Sequence, residues 1–218
     1  MRLPNTVALM TAAIALSLMH ANASAQTSFP VQAPVMLVGD TWSYKVTDLW
    51  KKEVAPNLLV QTVSAIDNFI RFTGKSTTGA EFRYGTDKSL DVPYTVDKEA
   101  QLNRYFAWPL TETSVWENKR KQKTNNVNII FESECKVKGA EKITVPAGTF
   151  DTVYFVCKGN YNNDNTGAYS PGGGSGYFVE EYWYEPSVKQ HVKTTSEYRH
   201  GGRLSAQMMT ELASFKVQ

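Results

Sequence analysis

Thr41-Trp42-Ser43-Tyr44-Lys45-Val46-Thr47 is the stretch that decides the fold. Trp42, Tyr44 and Val46 alternate with polar neighbours. Successive side chains of a strand point to opposite faces, so this pattern predicts a strand with one buried and one wet face. The same period of two recurs over 58–66, 68–73, 81–84, 102–108, 115–121, 127–137, 152–158, 177–184, 188–197 and 204–217. Turn formers separate these runs, among them Thr78-Gly79, Lys138-Gly139, Ala147-Gly148, Glu185-Pro186-Ser187 and His200-Gly201-Gly202. One or two helical turns are expected only around 97–104. The run 204–217 is rich in Met and Leu but still alternates, and reads as a strand.

About eleven consecutive strands joined by short turns predict an all-β chain. A meander of that length must curl or fold over to shelter its edges. The expected architecture is therefore a strongly curved antiparallel meander sheet or an open β-barrel. The elements Pro34…Trp42 and Pro109…Trp116 echo each other, each a proline, a short loop and a Trp-centred strand.

Upstream of this domain, Arg2 precedes an apolar run from Thr6 to Met19, and Ala23-Ser24-Ala25 forms a small-x-small site. This reads as a signal peptide over 1–25, its apolar run short of the ~20 residues of a membrane span. Residues 26–38 read as an irregular leader and 39–218 as a single β domain. The expected product is soluble and periplasmic or secreted, with no cysteine after the cleavage site to carry a lipid. The chain has 23 Lys and Arg against 21 Asp and Glu. A balance so near neutral gives no reason to expect nucleic acid.

Cys135 and Cys157 are the only two cysteines. An even pair in an oxidising compartment predicts a disulfide. No Cys-x-x-Cys, metal-ligand spacing, Gly-x-Ser-x-Gly or phosphate loop accompanies it. No catalytic residue, metal or cofactor is expected. His191 and His200 match no metal template and read as surface histidines. Glu180 and Glu181 stand beside aromatics, but neighbours in a strand face opposite ways, so they read as separate solvated positions rather than a catalytic pair. The cluster Lys119, Arg120, Lys121 and Lys123 reads as a basic hairpin tip, with contact to anionic head groups as its functional reading. The segment 159–176 is rich in Asn and Gly and reads as one long loop. Trp42, Tyr44, Trp108, Trp116 and Trp183 are the candidates to line a cavity, since an open barrel can hold an apolar ligand.

Val145-Pro146-Ala147-Gly148-Thr149-Phe150 resembles a motif of exported bacterial proteins of unknown function. Tyr182-Trp183-Tyr184-Glu185-Pro186 is similar to the Trp-Tyr-x-Pro strand of the same family, and Glu211-Leu212 to its closing strand. The resemblance covers roughly residues 105–215. It implies a curved sheet shaped like the periplasmic lipoprotein carriers, and it brings no catalytic residues.

The expected function is a non-enzymatic periplasmic protein that binds an apolar or lipid-like ligand or an envelope partner. Its alternative is a fully packed envelope protein acting through its surface loops. A secreted hydrolase stands third.

Overall fold

The computed structural model describes residues 28–96, 99–124, 127–163 and 174–218. The signal peptide and most of the 159–176 segment lie outside these. Period-two alternation becomes strand wherever it was expected, except at 104–108 of the run 102–108. The strands are β1 (Thr41–Asp48), β2 (Glu53–Val54), β3 (Leu59–Ile66), β4 (Ile70–Lys75), β5 (Glu81–Thr86), β6 (Val92–Val96), β7 (Glu99–Asn103), β8 (Val115–Thr124), β9 (Val127–Val145), β10 (Gly148–Asn163), β11 (Gly176–Glu185), β12 (Gln190–His200) and β13 (Arg203–Lys216). The helix expected around 97–104 is not formed at 99–103, which is strand β7 paired with β6.

Eleven strands make one open antiparallel sheet, in the order β5-β4-β3-β1-β13-β12-β11-β10-β9-β8, with β2 beside β1. The all-β class and the open antiparallel sheet of about eleven strands are as expected, and the strand order adds one feature. The last strand lies between the first and β12, so two meanders run outward from a central β1–β13 seam. Hairpin turns impose sequential neighbours, but the seam is held by no turn at all.

The two free edges, β5 and β8, are joined through 87–114. That segment therefore has to cross the sheet. It does so over the inner face, burying Leu90, Phe106 and Leu110. Phe106 meets Phe155 of β10 and Tyr184 of β11 edge-on and stacks on His191 of β12. Of the run 102–108 that reads as strand, residues 104–108 instead form part of this crossing strap. Leu110 exchanges both backbone hydrogen bonds with Val31 at 2.8 Å, so the loops preceding the two Trp strands meet.

β9 and β10 form a hairpin closed by Pro146-Ala147-Gly148, with Gly148 at φ 140°, a conformation that favours glycine. The segment between the cysteines is the outer part of this hairpin. Cys135 and Cys157 face each other across its ladder and are disulfide-bonded, with Cα atoms 3.9 Å apart. Both are fully buried. The bond closes a loop over a sequence separation of 22, which corresponds to about 3 kcal/mol in the chain-entropy account. Replacing both cysteines by serine is therefore expected to lower the unfolding free energy by about that amount. The denaturant midpoint of the double variant reads it.

Candidate functional site

A cavity of about 440 Å³ lies between the inner face and the crossing strap. Its origin is a row of unequal side chains. The inner positions Val46, Thr210, Thr194 and Tyr182 stand side by side across β1, β13, β12 and β11. Large aromatics such as Tyr44, Phe72 and Phe106 surround this row, and its two threonines leave space between them. Tyr44, Leu59 and Phe72 extend one wall across β1, β3 and β4, while Leu90, Tyr105 and Phe106 of the strap roof it.

The polar groups of this wall are uncharged. Tyr44 donates its hydroxyl to the His191 carbonyl at 3.1 Å, and Tyr84 donates to Gln61 Oε1 at 2.9 Å. Burial pushes both phenols well above their ordinary range. His191 lines the cavity and is half-buried. Burial alone pushes its imidazole down to about 3, so the ring is neutral at physiological pH. It is a poor proton acceptor held in an apolar stack, which corrects the expectation of a surface histidine.

A second cluster lies behind Tyr105. Arg120 of β8 grips Glu180 of β11 through both guanidinium nitrogens, one of them at 2.7 Å. Tyr182 and Tyr198 donate to the same carboxylate at 2.7 and 2.8 Å. The Arg120 guanidinium also sits 4.5 Å from the Phe131 ring centre. Burial alone would raise the Glu180 pKa. Arg120 and the two hydroxyls outweigh that and hold it below the usual carboxylate range. β9 and β10 lie between these partners, a separation of about 14 Å in a flat sheet. Direct contact therefore requires the sheet to curl. Gly159 allows the close strand approach behind it, since a Cβ there would lie 1.9 Å from the Glu132 carbonyl oxygen.

The other proposed site residues are placed as follows. Of the five cavity candidates, Tyr44 lines the cavity. Trp42 is fully buried core and donates to the Val188 carbonyl at 2.8 Å. Trp116 is buried core against Phe155, opposite Cys135 in the ladder. Trp108 stacks on Phe106 and donates to Ser89, backing the strap. Trp183 is on the outer face, stacked on Tyr154 and covered by Lys193.

The basic run lies in the end of β8 that leads into the β8–β9 turn, paired with β9 as far as Thr124 and Val127. Alternation sends Arg120 inward, while Lys119 pairs with Glu132 at 2.5 Å on the exposed side. Lys121 is half-buried, and the Lys123 side chain lies outside the described residues. Glu180 is 5 % exposed and not solvated. Glu181 takes the opposite face, accepting from Tyr154 and Thr195. The first residues of the expected 159–176 loop, through Asn163, belong to β10. Sequence reasoning missed the Arg120–Glu180 pair. Trp116, Asn118 and Arg120 share the inner face by period two, and that was the available signal.

No family model matches the chain, and no curated protein matches it. Solved structures that resemble it include a candidate lipoprotein from Parabacteroides distasonis ATCC 8503, at 16 % identity and TM-score 0.44, over 85 % of this chain and 99 % of that one. A candidate exported protein with a YmcC-like fold from Bacteroides fragilis NCTC 9343 resembles it at 12 % identity and TM-score 0.43, over 85 % and 99 %. The hypothetical lipoprotein YmcC from Escherichia coli K12 does so at 10 % identity and TM-score 0.41, over 82 % and 85 %. Likenesses this distant say nothing of what this chain binds.

Proposed function

We propose that this protein binds an apolar small molecule in its inner-face cavity, and acts by that binding rather than by catalysis. The cavity is the observation that carries the reading. At about 440 Å³ it falls within the range of ~300–1,000 Å³ usual for small-molecule sites. Its lining of Leu59, Phe72, Leu90 and Phe106 suits a hydrocarbon body. A fully packed interior, the alternative, would leave no such space. The neutral His191 and the raised tyrosines support binding over proton transfer. An envelope location is supported by the signal-like pattern of residues 1–25 and by the Cys135–Cys157 disulfide.

Burying an eight-carbon chain contributes about 6 kcal/mol at ~0.8 kcal/mol per CH₂. Lost translational freedom offsets much of this. Dissociation constants between roughly micromolar and millimolar follow. Thr210→Phe fills the space from the middle of the sheet. It is expected to weaken binding of the apolar fluorophore N-phenylnaphthylamine by at least about tenfold, with the melting temperature unchanged or raised. Unaltered probe binding in a folded Thr210→Phe variant would overturn the proposal.

A further inference from the structure

We infer that the ligand of this cavity is an uncharged amphiphile, an apolar chain or ring that carries a hydroxyl, held at His191. The inference rests on the binding reading above and names the chemistry of its ligand. Three observations carry it.

The first is an unspent hydrogen-bonding group. His191 lines the cavity, its Nδ1 is buried with no partner, and no described residue bonds its other ring nitrogen. Its ring is fixed between Phe106 and Tyr182, at centroid distances of 5.2 and 4.8 Å. Buried polar groups are nearly always satisfied, so a rigid imidazole without a protein partner is poised for another molecule. Of the tyrosines that line the cavity, Tyr44 and Tyr84 differ from it, because their hydroxyls are already engaged.

The second is the absence of a counter-charge. Among the described residues that line the cavity, none carries a charge. Arg120 is the cation behind Tyr105, and Glu180 occupies it through two hydrogen bonds. The carboxylate closest along the strap is Asp91, 7 % exposed and held by the Tyr105 amide at 2.9 Å. A fatty acid or phosphate placed here would lose its hydration, gain no cation, and meet an acidic neighbour.

The third is the match between a hydroxyl and a neutral imidazole. One imidazole nitrogen donates and the other accepts. A hydroxyl does both, so it pairs with either tautomer. A hydrocarbon does neither and leaves the nitrogens unsatisfied.

Displacement of N-phenylnaphthylamine from the full folded protein at pH 7.5 tests the inference, with 1-octanol, octanoate and octane as competitors. Octanol is expected to bind at least about tenfold more tightly than octanoate. His191→Phe keeps the aromatic stack and removes both nitrogens. It is expected to reduce the preference for octanol over octane about fivefold. Octanoate binding as tightly as octanol in the unmodified protein would overturn the inference and leave the binding reading standing. So would an octanol preference unchanged in His191→Phe. If none of the three displaces the probe, the binding reading falls with it. The comparison in the unmodified protein decides the question even if the variant fails to fold.

Discussion

Glu180→Gln is expected to destabilise the fold by about 3–5 kcal/mol, the range for breaking a buried ion pair from one side. Arg120 is 11 % exposed and has its charge neutralised by this carboxylate. With glutamine in place it stays buried and uncompensated, and the Tyr182 and Tyr198 hydroxyls lose their shared anionic acceptor. The double variant Arg120→Met/Glu180→Leu separates charge from packing. Removing both charges together is expected to recover most of the loss, because a well-packed apolar pair is often as stable as the ion pair it replaces. Equal destabilisation of the single and double variants in urea titrations would mean that shape, not charge, dominates this corner.

The same groups set the acid response. The native pKa of Glu180 lies below its unfolded value. Its contribution is complete above the ordinary carboxylate range and is lost as pH falls through the native pKa. His191 acts earlier. Its native pKa is about 3 against an ordinary 6.5, so between these values the unfolded chain takes up a proton that the native ring refuses. Stability falls with pH across that window, at up to about 1.4 kcal/mol per pH unit. His191→Phe is expected to remove the part of this decline that begins near pH 6.5, leaving the carboxylate part below it.

Where the strands lie was legible in the sequence, because period-two alternation is local and the buried face repeats it faithfully. Strand order was not. Nothing in Leu204 to Phe215 announces that this last strand pairs with the first, since pairing without a turn leaves no mark in the chain. Of the large side chains proposed to line a cavity, Tyr44 does so. Trp42 and Trp116 fill space, whereas a hole forms where small residues such as Thr194 and Thr210 stand among large ones. Arg120 was hidden by company. Between two lysines it looked like one more surface charge, although its phase with Trp116 put it inside. His191 was hidden by an irregularity, because the register shifts between Trp183 and Tyr184 and sets the ring opposite Tyr184 on the inner face.

That turnless seam is where the second large effect is expected. Asp40 stands just before β1 and is fully buried. Its carboxylate accepts the Leu37 amide, the Gln218 amide and the Lys189 ammonium, each at 2.9 Å. Lys189 belongs to the β11–β12 turn, where φ is 63°, and it also donates to the Gln218 carbonyl at 2.8 Å. One side chain thus ties the entry to β1, the segment past β13 and the turn leading into β12. The neighbouring Trp42 anchors the same turn through Val188. Asp40→Ala leaves a buried ammonium without its counter-ion and two amides without acceptors, at a cost of about 3–5 kcal/mol. Asp40→Asn keeps an acceptor but not the charge, and should fall between that variant and the native chain. The loss should also be uneven. Amide exchange is expected to rise most in β1 and β13, which no hairpin joins, and least in the disulfide-bonded β9–β10 hairpin. A uniform rise across all strands would show that Asp40 supports the whole sheet rather than the joint between its halves.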